Sequence, residues 1–85
     1  MDKEEVLLRV KHLLEKKYGA EAGIFIQQGQ VLLKRASRPD APIIPEELEA
    51  IVQQVREEFN LPPLILIGSI YHGDTILVGL NPDHQ

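Results

Sequence analysis

Apolar positions recur along the chain with two periods. Val6, Leu7, Val10, Leu13 and Leu14, then Tyr18, fall at three- and four-residue intervals, while Lys11, Glu15 and Lys16 take the other positions. That spacing is the stripe of an amphipathic helix. Asp2 with Glu5 three residues later has the form of a capping box, and Gly19 stands where a left-handed backbone ends a helix most easily. The pattern therefore predicts a helix over residues 3 to 18, with Lys16 and Lys17 at the negative end of its dipole. A second stripe, Leu48, Ile51, Val52, Val55 and Phe59, predicts another helix. Pro45 suits its first position, Glu46, Glu47 and Glu49 favour its positive end, and Asn60 with Pro62 and Pro63 stops it.

Between and after these helices the period shortens. Ile24, Phe25 and Ile26, then Val31, Leu32 and Leu33, flank Gln28 and Gly29, which predicts two strands, 22 to 28 and 30 to 36, around a tight turn. Residues 64 to 70 and 75 to 80 predict a second hairpin around Tyr71, His72, Gly73 and Asp74. Ser37 to Pro45 is proline-rich and reads as a loop, and residues 81 to 85 read as a loosely held polar tail.

The two halves say similar things. Leu7, Val10, Leu14 and Tyr18 fall 41 positions before Leu48, Ile51, Val55 and Phe59, and Ile24, Phe25 and Ile26 fall 41 before Ile65, Leu66 and Ile67. After an inserted stretch of three residues, Gly29, Leu32 and Leu33 match Gly73, Ile76 and Leu77 at an offset of 44. The expected fold is α+β: two αββ units in the order α-β-β-α-β-β, forming a four-stranded antiparallel sheet with both helices on one face. One domain holds residues 1 to 85, with the units at 2 to 36 and 46 to 80, the loop at 37 to 45 and the tail at 81 to 85.

Two helices can cover one face of such a sheet, yet the strand runs do not alternate apolar with polar as a half-wet sheet should. Both faces read as apolar, so something else is expected to cover the second. A homodimer is the leading expectation, because two-fold homo-oligomers are the commonest assembly, and another protein is the alternative lid. The expected contact residues are Ile24, Ile26, Leu33, Leu66 and Ile76.

Composition narrows the function classes. Eighty-five residues allow one core rather than two. A hydrophobic fraction of 44% with 26% charged residues is ordinary for a soluble domain, and no run approaches the ~18 apolar residues of a membrane span. The acidic start, Met1 to Glu5, lacks the basic and apolar regions of an export signal, so a cytoplasmic location is expected, with no membrane partner. Without cysteine, disulfides, thiolate nucleophiles and cysteine metal sites are excluded. The net charge of −4 speaks against a general nucleic-acid binder.

Candidate chemistry is sparse. His72 and Asp74, with Asp83 or His84 from the tail, could supply metal ligands, but a polar turn explains the same residues and their spacing matches no motif. His12 reads as a solvated or partly packed helix residue. Lys34, Arg35 and Arg38, around Ser37, form the one basic cluster and could hold a phosphate or an acidic partner; a solvated strand end is the plainer account. Ser37 and Ser69 lie in no nucleophile elbow, and the glycines form no phosphate loop. No catalytic residue, cofactor or metal is expected.

The order helix, hairpin, helix, strands, together with the stretch from Ala22 to Leu33 in the first hairpin, resembles the roadblock domain over about residues 4 to 60. That resemblance implies a small dimeric scaffold that engages GTPases or motor and signalling complexes, without an active site of its own. The chain has no counterpart of the family's further strand and last helix, and no functional residue is carried over. The expectation is thus a non-enzymatic interaction module acting through self-association and partner binding. The alternative is a small ligand- or nucleic-acid-binding domain using Lys34, Arg35 and Arg38. A third reading, an enzyme whose site forms from His72 and Asp74 only between subunits, ranks last.

Overall fold

A computed structural model of the chain describes residues 2–19, 23–34, 44–71 and 75–80. The elements run α1 (Lys3–Tyr18), β1 (Ile24–Gln27), β2 (Gln30–Lys34), α2 (Pro45–Phe59), β3 (Leu66–Tyr71) and β4 (Thr75–Leu80). The fold is α+β, with two helices and one antiparallel four-stranded sheet, as the hydrophobic periods predict.

Local chemistry sets the helix ends. Asp2 caps α1, its Oδ1 accepting from the amide of Glu4 at 3.0 Å, and the Gly19 amide closes the other end on the Glu15 carbonyl at 2.8 Å. Gly19 stands at φ 96°, ψ 149°, a conformation that essentially only glycine adopts without strain. At α2, Pro45 opens the first turn and Ile44 offers no capping side chain. Its far end is a Schellman motif: Asn60 is left-handed at φ 55°, its amide bonds the Glu57 carbonyl, and the Leu61 amide bonds the Arg56 carbonyl at 2.8 Å. Leu61, placed by that turn, packs against the core.

The strands lie in the order β1-β2-β4-β3, every neighbour antiparallel. The second strands of the two hairpins therefore meet at the centre, and β1 and β3 form the edges. Register divides the sheet into two faces, because successive side chains point to opposite sides. The inner face carries the cross-strand row Ile24, Leu33, Ile76 and Ile70, then the row Ile26, Val31, Val78 and Gly68. Both helices cover this face, so Val6, Leu7, Val10 and Leu14 of α1 and Leu48, Ile51, Val52 and Val55 of α2 form one core with Ile24, Val31, Leu33, Leu66, Ile76 and Val78. Each such side chain contributes roughly 1.5–3 kcal/mol when fully buried.

Gly68 explains how closely α2 approaches the sheet. A Cβ there would stand 2.8 Å from Val52 Cγ2 and 3.4 Å from Leu48 Cγ. Only a residue without a side chain lets these two helix residues rest on β3.

The halves do not superpose in the strands as the sequence match aligns them. Ile65, the counterpart of buried Ile24, lies in the turn before β3; Phe25 points outward, whereas its counterpart Leu66 points inward. A one-residue slip in register moves every strand side chain to the other face, which is why matching apolar runs by eye fails here. In the helices the matched residues are all packed in the core or against it.

Candidate interaction surface

The face of the sheet turned away from the helices is uncovered by any described residue. Its central row is Phe25, Leu32, Leu77 and Ser69, each opposite the next across the strands. A second row holds Gln27, Gln30, Gly79 and Ile67, and a third the register positions of Lys34, Thr75 and Tyr71. Phe25 is 55% exposed, Tyr71 54% and Ile67 44%; Leu32 and Leu77, flanked on both sides, are half-buried. A Cβ on Gly79 would meet Gln30 Cγ at 2.9 Å, so the Gln30 side chain lies flat across β4 in this row.

This arrangement corrects two expectations. Of the expected contact residues, Ile24, Leu33, Leu66 and Ile76 are core residues beneath the helices, and they cannot meet a partner while the fold is intact. Ile26 shares their face and is exposed only because it lies near the end of the edge strand β1. The second face is mixed rather than wholly apolar: Phe25, Leu32, Ile67, Leu77 and Tyr71 stand among Gln27, Gln30, Ser69 and Thr75. Sequence reasoning chose the wrong parity, yet the polar residues carried the signal. Gln27 of β1, Gln30 and Lys34 of β2, Ser69 of β3 and Thr75 of β4 all fall on one parity, which marks that parity as the wet face.

The surface is electrically quiet. Among the described residues, Tyr71 apart, the only ionisable residue at its register positions is Lys34. Charge gathers instead on the helical side, where Arg9 donates from Nε and Nη2 to Glu58 at 2.8 and 3.0 Å and Lys17 meets Glu47 at 2.9 Å. The hydrogen bond from Arg9, helped by one from Gln54, holds the Glu58 carboxyl below its usual value, and the same contact raises Arg9. These pairs clamp α1 to α2.

The other candidates stand apart from this face or outside the described residues. His12 is exposed on α1. Arg35, Ser37, Arg38, His72, Asp74, Asp83 and His84 lie outside the described residues, as do the turn and tail that were to carry metal ligands. Among the described residues no three acidic or imidazole side chains gather as metal ligands would, and no helix is long and apolar enough to cross a membrane.

A separate groove of about 420 Å³ runs along the outer edge of β3, between that strand and α2. Pro45, Glu49, Val52 and Arg56 form its helix wall. Its strand wall takes residues from both faces, Ile67 and Ser69 from the open side and Gly68 and Ile70 from the inner side, so the groove opens onto the strand's free edge. Sequence reasoning missed this groove, because which strands become edges depends on how the hairpins join. No family model, curated protein or solved structure matches the chain.

Proposed function

We propose that this protein is a non-enzymatic interaction module that self-associates through the open face of its sheet, with a second copy as the occupant. The observation that carries this reading is the row Phe25, Leu32 and Leu77, flanked by Ile67 and Tyr71 and covered by none of the described residues. Charge favours a second copy at this place. The chain carries a net −4, and acidic residues on the helices, Glu4, Glu5, Glu46, Glu49 and Glu57 among them, resist a like-charged neighbour, whereas the open face presents almost none.

Area sets the strength. Four strands at ~4.8 Å and about six residues at ~3.4 Å give a footprint of roughly 400 Å² per copy, or about 800 Å² in the pair. That is below the ~1,000 Å² of a stable interface, so the dimer is a weak, reversible one. Light scattering over a concentration series tests the reading. The apparent mass should rise from 9.6 kDa toward twice that value, and Leu77→Glu should hold it at one chain while the helical circular dichroism is retained. A mass of one chain at about 1 mM, or a dimer indifferent to Leu77→Glu and Leu32→Glu, rejects it.

A further inference from the structure

We propose that the groove between α2 and the β3 edge binds an extended peptide segment of another protein, which adds to the sheet as a fifth strand antiparallel to β3 and places an acidic side chain at Arg56. The site shares Ile67 and Ser69 with the open face, but Glu49, Val52 and Arg56, which would read the ligand's side chains, lie on α2 and outside that face.

The first observation is topological. β3 is an edge strand of six residues, and among the described residues nothing pairs its outer side. An exposed edge offers a row of backbone donors and acceptors that another strand can satisfy, and here a helix wall stands over it to read side chains. The groove's volume, about 420 Å³, lies within the ~300–1,000 Å³ of ordinary ligand sites.

The second observation is charge. Arg9, Lys11 and Lys17 each meet a carboxylate, but Arg56, half-buried in the groove wall, meets none among the described residues. Its Nη2 donates to the Leu66 carbonyl, and its Nε is buried with no hydrogen-bond partner among the described residues. A half-buried guanidinium that lacks a counter-ion favours an anionic ligand. Glu49, exposed on the same wall, lies seven residues away on α2, about 10 Å along the helix axis at ~1.5 Å per residue.

Together these fix the ligand's chemistry. α2 runs antiparallel to β3, with Arg56 beside Leu66 and Val52 over Gly68, and Pro45 and Glu49, nearer the start of α2, line the same groove. A segment antiparallel to β3 therefore runs from Glu49 toward Arg56. Residues facing α2 alternate, and two alternations span about 14 Å at ~3.4 Å per residue, a length that a flexible lysine can match to the groove. The fitting sequence is basic, any, aliphatic, any, acidic, with the aliphatic side chain against Val52.

A fluorescein-labelled peptide with the core Lys-Thr-Ile-Thr-Asp tests this by anisotropy, with amide chemical shifts locating it. Binding should perturb residues 66 to 71 and leave 24 to 27 unmoved. Arg56→Gln should weaken it about tenfold or more, the loss expected for one charge-assisted hydrogen bond. Glu49→Arg, on an exposed position that does not threaten the fold, should weaken it too and should recover with a peptide carrying Glu in place of Lys. The proposal is overturned by any of four results: no binding at about 1 mM peptide, shifts centred on β1, affinity unchanged in both variants, or binding that appears only once residues 81 to 85 are removed. The last would identify the chain's own tail as the occupant.

Discussion

Ile76 and Leu77 are neighbours in β4 that face opposite ways, and truncating each in turn separates the core from the open face. Ile76 is fully buried in the core on the helix-covered face, whereas Leu77 is half-buried on the opposite side. Ile76→Ala removes three buried carbons and leaves a cavity that packed neighbours fill only in part, a loss of about 2–5 kcal/mol. A chain of 85 residues has roughly 4–13 kcal/mol of stability in all, so this one change removes a large fraction of it. The melting temperature should fall by about 10 °C or more, at ~4–8 °C per kcal/mol. Leu77→Ala opens no sealed cavity, and its loss should stay below about 1 kcal/mol. Urea titration with fitted midpoints and slopes is the assay, at a concentration where the mass is that of one chain. Equal losses at the two positions, or a larger one at Leu77, would refute the assignment of faces and everything built on it.

Gly68→Ala should destabilise the fold by about 1–3 kcal/mol, since its Cβ would meet the stiff, β-branched Val52 at 2.8 Å; the gain of at most ~1 kcal/mol from a less flexible chain does not offset that. Combining it with Val52→Ala should give less than the sum of the two losses, and a raised melting temperature for Gly68→Ala alone would contradict the close helix approach. The Arg9–Glu58 pair gives a pH dependence of known sign. Because Glu58 titrates below its ordinary value of 4.5 in the folded state, the pair's contribution is complete above about pH 4.5 and fades as the pH falls through the lower folded value. The melting-temperature difference between wild type and Glu58→Gln should therefore close in acid; a difference that widens there would reverse the assignment.

Helices were legible in the sequence and strand faces were not, for a physical reason. Helix α1 begins and ends where composition places it, but by other means than the pattern predicts: Asp2 satisfies the Glu4 amide rather than that of Glu5, and Gly19 takes an extended positive-φ conformation rather than the left-handed helical one. Helix α2 ends on Asn60 and two prolines, equally local signals. The runs Ile24 to Ile26 and Leu64 to Ile67 contain no polar residue to set parity, and within them either face fits. Only the flanking residues decide, Gln27 and Ser69 in these strands, and they lie at or beyond the ends of the apolar runs. The groove at β3 was less legible still. Arg56 looks like an ordinary helix-end cation until the order β1-β2-β4-β3 places a free strand edge beside it.

That strand order also shapes how the chain can assemble itself. Each hairpin joins residues close in sequence, but the central β2–β4 ladder joins Leu32 to Leu77 across 45 positions. Closing a loop of that length opposes folding by about 3 kcal/mol plus a constant, a cost that the central ladder carries and the two hairpins do not. A second chain can supply the missing half on the same terms: two copies that exchanged halves through this one ladder would keep every pairing in the sheet, and only the connection between residues 34 and 44 would have to take another path.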